Sequence, residues 1–171
     1  MTPDTYRRMT DATRAVVSRL PGGASWLRLP TLVCAGAYLA TLLHLMLLRD
    51  LRLLPALCVP AACFLVCTVL RPLIGRTRPY DRFGAEPVGR YRPGKGKSMP
   101  SRHTASAAAI ALAVIDVHPT WPVAALMLAL CAVIAALRVV SGQHYVSDVL
   151  AALALSLLLS ACGYALPWPL A

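Results

Sequence analysis

The chain is short of charge. Asp, Glu, Lys and Arg make up 14% of its 171 residues and hydrophobic residues 58%, whereas a soluble domain draws about a quarter of its residues from the charged set. Acidic residues are scarcest, 7 against 17 basic ones, for a net charge of +10. No Cys-x-x-Cys pair occurs among Cys34, Cys58, Cys63, Cys67, Cys131 and Cys162, so the usual zinc and redox signatures are missing. Cys63 and Cys67 stand one helical turn apart, but small buried hydrophobes are the simpler reading of all six. There is no internal repeat and no low-complexity tract. The first 28 residues hold Arg7, Arg8, Arg14, Arg19 and Arg28 without a compact apolar core, so they are not expected to act as a cleavable signal peptide.

What is present is long apolar runs. Residues 29–48, 53–70, 119–137 and 149–171 contain no Asp, Glu, Lys or Arg. Runs of about 18 or more such residues read as membrane-spanning helices. A shorter alanine-rich run, 104–115, supplies a further span. The expectation is an all-α integral membrane bundle of five spans, at about 30–48, 52–70, 102–118, 120–138 and 145–166. These form a domain 29–171, preceded by a basic segment 1–28. Within that segment, residues 14–20 read either as a short amphipathic helix lying on anionic lipid or as a frayed polar tail. Tight turns join the first two spans at residues 49–52 and the third and fourth at 118–120.

Residues 71–101 are the one long connection, basic and broken by Pro72, Pro79, Pro87, Pro93 and Pro100, so no long helix is expected there. Tracing the spans puts this loop, the N-terminal segment and residues 138–144 on one side of the membrane. Of the 17 basic residues only Arg49 and Arg52 fall on the other. The positive-inside rule then makes the basic side cytoplasmic. Setting aside Arg71, Arg78, Arg102 and Arg138 as residues with chemistry to do still leaves eleven against two.

Three polar clusters meet on that side: Arg71 to Pro79, "PSRH" at 100–103, and Arg138 to Asp148. They supply arginine forks that match phosphate oxygens, two histidines and a carboxylate. His144 and Asp148, four apart on a predicted helix, share a face. The carboxylate would hold the Nδ1 proton and free Nε2 as a nucleophile. His103, in a different cluster, would protonate the leaving group. Arg71, Arg78 and Arg138 would carry the equatorial phosphate oxygens. Ser101 and the N–H groups opening the third span suit the same anion.

These clusters resemble the three motifs of the type-2 phosphatidic acid phosphatase (PAP2) superfamily: Lys-x6-Arg-Pro, Pro-Ser-Gly-His and Ser-Arg-x5-His-x3-Asp. Arg71 stands where the first has lysine, Arg102 where the second has glycine, and Leu137 where the third has serine. The resemblance implies a small bacterial membrane lipid phosphatase. It makes His144 the nucleophile of a phosphohistidine, Asp148 its orienting group and His103 the general acid. Arg71, Arg78, Ser101, Arg102 and Arg138 bind phosphate, and neither metal nor cofactor is implied. The family commonly has six spans; five are expected here, with residues 1–28 expected to cover the place of the first. The implied partners are a phosphorylated membrane lipid and the bilayer itself. A lipid phosphotransferase and a decayed lipid-binding protein remain as rival readings.

Other residues carry plainer expectations. His44, among apolar neighbours, reads as a buried neutral histidine bonded to a neighbouring helix. Asp116 and His118 read as interfacial polar residues. Trp121, Trp168 and Tyr164 suit an aromatic belt at the far interface. Arg90, Arg92, Lys95 and Lys97 would steer an anionic head group or simply serve topology. Asp81 and Glu86 have no assigned role. The loop places Tyr80, Phe83 and Tyr91 among arginines, yet it is tethered between spans and has no nucleic-acid motif, so no nucleic-acid partner is expected.

Overall fold

The computed structural model describes residues 1–93 and 97–168; Lys95 lies outside the described residues. All regular structure among them is helical. In chain order the helices are α1 (Pro3–Val17), α2 (Leu29–Leu47), α3 (Leu53–Ile74), α4 (Pro79–Phe83), α5 (Arg102–Val117), α6 (Trp121–Val140) and α7 (Val146–Tyr164), with a 3₁₀ turn at Gly23–Arg28 between α1 and α2.

Among the described residues, four helical stretches are long and apolar enough to cross a membrane, and they hold α2, α3, α6 and α7. Their outer faces expose leucines such as Leu39, Leu65, Leu128 and Leu158, as lipid contact requires. The shorter helix α5, expected from the sequence as a further span, packs against all four of these. Its sequence explains that central place. Ala105, Ala107, Ala108, Ala109, Ala111 and Ala113 are all buried, and small side chains let neighbouring backbones approach closely. At 16 residues α5 reaches roughly 24 Å.

Helix α3 contains Pro60, which has no N–H to offer the carbonyl of Ala56. In hydrocarbon that carbonyl needs another donor, and the Tyr38 hydroxyl of α2 supplies it at 2.8 Å. The helix also runs past the expected end at residue 70. It stops at Gly75, whose φ of 62° is left-handed and whose N–H closes on the Arg71 carbonyl at 3.1 Å. Arg71 therefore sits on the last turn of a span, not in a loop. The loop in turn contains the short helix α4.

The up-and-down order puts α1, α4, the ends of α3 and α6 and the starts of α5 and α7 at one end of the bundle. At the other end, Arg49 (φ 55°) makes the α2–α3 turn, and Asp50 accepts the Arg52 backbone N–H at 2.8 Å. Two expectations are corrected here. His44 is exposed, in the last turn of α2, with its ring 5.4 Å from that of His118. Cys58 and Cys162 are exposed on outer faces, while the other four cysteines are buried.

The N-terminal segment is neither a frayed tail nor a helix resting on lipid alone. Its helix begins at Pro3, N-capped by Thr2, and its inner face, Tyr6, Thr10 and Val17, is buried.

Candidate active site

The site is built from the ends of four helices, α3, α5, α6 and α7. Helix α6 carries Arg138 on its last turn. The chain then reverses: the Arg138 carbonyl accepts N–H bonds from Gln143 (3.2 Å) and His144 (3.0 Å). Gly142, at φ 75°, makes that reversal possible. The five-residue spacing between Arg138 and His144 is thus a turn closed by backbone bonds to the Arg138 carbonyl.

His144 precedes α7 instead of lying on it, which corrects the shared-helix-face reading. Asp148 still reaches it, for a different reason. The carboxylate sits in the first turn of α7, where it accepts the Tyr145 N–H at 3.0 Å and meets His144 Nδ1 at 3.4 Å through the same Oδ2. Ser98 donates to that oxygen as well. Asp148 is fully buried and His144 is 2% exposed. Burial holds the His144 imidazole below its ordinary pKa, Arg78 and Arg71 push the same way, and the Asp148 hydrogen bond opposes them. With Nδ1 facing the carboxylate, Nε2 is left with the lone pair.

Helix α5 starts at Arg102 with Ser101 in the N-cap position. The Ser101 side chain does not cap the helix; its hydroxyl oxygen accepts from Thr104 at 3.1 Å, so its own proton remains to be donated. The Ser101 N–H donates to the Asp148 carbonyl at 3.1 Å, which ties the second cluster to the third. His103, in the first turn, lies near enough to His144, Arg71, Arg102 and Arg138 to feel their charges.

The arginines are disposed differently from one another. Arg71 is buried and donates to the Lys97 carbonyl. Arg78 donates to Gln143 Oε1 at 3.2 Å. The Nε atoms of Arg78 and Arg138 are buried and have no partner among the described residues. Buried charged donors left in that condition are costly. Arg102 lies with its guanidinium 5.9 Å from the Phe64 ring centroid, on the lipid-facing side of the cluster.

A cavity of about 950 Å³ opens above this cluster, with Arg28, Arg78, Arg90, Arg92, Arg102, His103 and Arg138 in its walls. A second cavity of about 270 Å³ lies beside it, lined by Cys34, Phe64, Ile110 and Ile134. The two share Thr31, Arg102 and His103.

Three contributors were not singled out from the sequence. Gln143 bridges Arg78 and the Arg90 carbonyl, donating to the latter at 2.8 Å. Ser98 holds Asp148. Arg76 donates to Asp148 Oδ1 at 2.7 Å and to Ser147 Oγ at 2.8 Å, and stacks 4.3 Å over the Tyr145 ring. Arg76 falls in the unspecified stretch between Arg71 and Arg78; its charge beside a motif in need of a carboxylate partner was the available signal. Its side chain is 32% exposed, so water screens the pair. Arg76→Gln should cost about 1–2 kcal/mol, well short of a fully buried pair. By loosening Asp148 it should also lower kcat about tenfold. Thermal unfolding and steady-state kinetics on the purified variant would check both.

No curated protein sequence matches the chain significantly. Among solved structures, the fold is similar to the crystal structure of the first transmembrane PAP2 type phosphatidylglycerolphosphate phosphatase from Bacillus subtilis. The TM-score is 0.67 and the identity 23%, over 94% of this chain and 83% of that one. The sequence profile of the PAP2 superfamily matches residues 52–170, a stretch that contains all three polar clusters. The chain therefore belongs to the PAP2 superfamily.

Proposed function

We propose that the protein is a metal-independent lipid phosphatase working through a phosphohistidine. The observation that carries this reading is the buried His144–Asp148 pair set beside arginines whose buried Nε atoms lack a partner among the described residues. A phosphate seated on Arg71, Arg78, Arg138, the Ser101 hydroxyl and the α5 N-terminus presents its phosphorus to His144 Nε2. As the N–P bond forms, the bond to the leaving oxygen breaks and His103 gives that oxygen a proton. His103 then takes a proton from water, which attacks the phosphohistidine, releases inorganic phosphate and restores His144. The arginines act on charge developing at the equatorial oxygens.

Lipid is the substrate class because the apolar cavity adjoins the cationic one at Arg102 and His103. The head group occupies the larger space and the tail leaves between helices toward the bilayer. Arg102 marks that junction, so the arginine in place of glycine shapes which head group fits. Arg90, Arg92 and Lys97 steer the anion inward.

With the basic end in the cytoplasm, substrates made inside are favoured: phosphatidylglycerol phosphate or a polyprenyl phosphosugar. An outward site would favour undecaprenyl pyrophosphate. Phosphate release by detergent-purified protein in EDTA, across these lipids and phosphatidic acid, tests the reading. EDTA-resistant turnover on one of them supports it. No release from any lipid would overturn it, and product that forms only with an acceptor lipid would indicate phosphotransfer.

The depressed His144 pKa has a consequence for pH. The nucleophile must be neutral, and in the free enzyme it stays neutral below the ordinary imidazole pKa of about 6.5. The acid limb of kcat/KM, which reports the free enzyme, should therefore lie below that value. The same shift affects stability. The unfolded chain protonates this histidine first, so the contribution is complete above about pH 6.5 and is lost as pH falls through the folded value. A kcat/KM profile from pH 4 to 8 would check the first expectation, and unfolding midpoints over that range the second.

A further inference from the structure

Residues 1–51 lie outside the family match, yet α1 is bonded to the turn that carries His144. Tyr6 is fully buried. Its hydroxyl is shared between the carbonyls of Ala85 at 3.1 Å and Gly142 at 3.4 Å, and its ring lies 5.3 Å from Phe83. One turn or more along, the Thr13 hydroxyl reaches the Val140 carbonyl at 3.0 Å while also bonding Met9 within α1. Arg14 donates to the Glu86 carbonyl at 3.1 Å. The loop it grips is itself paired to the turn, Val88 N–H to the Ser141 carbonyl at 2.9 Å.

The fit over the turn is close. A Cβ on Gly142 would lie 2.6 Å from the Tyr6 hydroxyl oxygen and 2.8 Å from Thr10 Cγ2. Ser141, Gly142, Gln143, His144 and Tyr145 are all buried, although they sit at an end of the bundle where a turn is ordinarily open to water. Two of the carbonyls held by α1, at residues 140 and 142, lie between Arg138 and His144.

We infer that α1 is a positioning element for His144, acting through Tyr6 and Thr13 on the backbone of the 138–144 turn. The inference rests on His144 being the nucleophile. Neither Tyr6 nor Thr13 lines the cavities, so neither acts on substrate. Their effect is geometric: a nucleophile must stay within about 0.5 Å of its productive position, and a shift of about 1 Å costs on the order of a hundredfold.

The test uses the full-length protein and its preferred lipid, with Tyr6→Phe and Thr13→Val, each of which keeps the shape of the side chain. Each is expected to lower kcat about tenfold, with KM within about twofold and an unfolding midpoint lowered by no more than a few degrees, roughly the loss of one buried hydrogen bond. Thr13→Ser, which keeps the hydroxyl, is expected to restore most of the rate. Unchanged kcat in both variants would overturn the inference and leave the function of His144 standing. So would a loss of rate that tracks a loss of fold and is not rescued by Thr13→Ser. If the wild-type protein releases no phosphate while folded, the nucleophile assignment fails, and the positioning role with it. Should Tyr6→Phe not fold, the half-buried Thr13 carries the same comparison.

Discussion

With His144 as the proposed nucleophile, His144→Ala is expected to lower phosphate release by at least about 10⁴-fold, to the level of the assay blank. The size follows from the place of the residue in the reaction. Removing a nucleophile eliminates the covalent route, and comparable removals cost on the order of 10⁶ in kcat. The smaller bound allows for water attacking a phosphate still held by the arginines. The variant should fold, which makes the result interpretable. Asp148 loses its contact to His144 Nδ1 but keeps Arg76, Ser98 and the Tyr145 N–H, so no buried carboxylate is left uncompensated. Inorganic phosphate should still bind the variant with near wild-type affinity in a calorimetric titration, because Arg71, Arg78 and Arg138 are untouched. A variant retaining a tenth of wild-type turnover would remove His144 from the role of nucleophile.

The bundle was legible because hydrocarbon imposes a length and a polarity on whatever crosses it. Four uncharged runs and one alanine-rich run became α2, α3, α6, α7 and α5, with ends off by a few residues. The largest discrepancy, α3 running on to Ile74, reflects a rule that treats arginine and proline as span-breakers. Arg71 continues a helix whose last turn has already reached the polar end, and Pro72 lies where the helix is about to stop. Gly75, with its left-handed φ, was the true stop signal.

What the sequence did not reveal was which way a side chain faces. For a soluble protein, apolar neighbours imply burial, and His44, Cys58 and Cys162 were read on that basis. In a bilayer the rule has no force, since a helix is apolar on its protein face and its lipid face alike. His44 turned outward beside His118. Likewise, the four-residue spacing of His144 and Asp148 was right as a contact and wrong as a helix. A helix face and an N-terminal turn both bring residues i and i+4 together, and only the backbone tells them apart. Arg76, Ser98, Gln143 and Tyr6 escaped notice because their roles depend on contacts between segments far apart in the chain, up to 136 residues for Tyr6 and Gly142.

If His103 is the general acid proposed above, the effect of His103→Ala should depend on the leaving group, and this separates an acid from a phosphate ligand. A lipid alcohol or a sugar hydroxyl departs from phosphorus as a poor leaving group unless it is protonated as the bond breaks. General acid catalysis supplies about 10²–10⁴-fold in such cases, and that factor should be lost in the variant. A nitrophenolate departs unaided, so hydrolysis of nitrophenyl phosphate by the same variant should fall by less than about tenfold. Arg78→Ala, by contrast, removes charge stabilisation needed for every leaving group and should depress both substrates alike. His103 can act independently of the nucleophile because it arrives on α5 while His144 arrives on the turn before α7. Their side chains come close enough for charge on one to act on the other, leaving His103 to face the leaving oxygen. Comparable losses on both substrates in His103→Ala would make His103 another phosphate-binding residue. The proton would then have to come from water, which the cavity over the site admits from the same side as the head group.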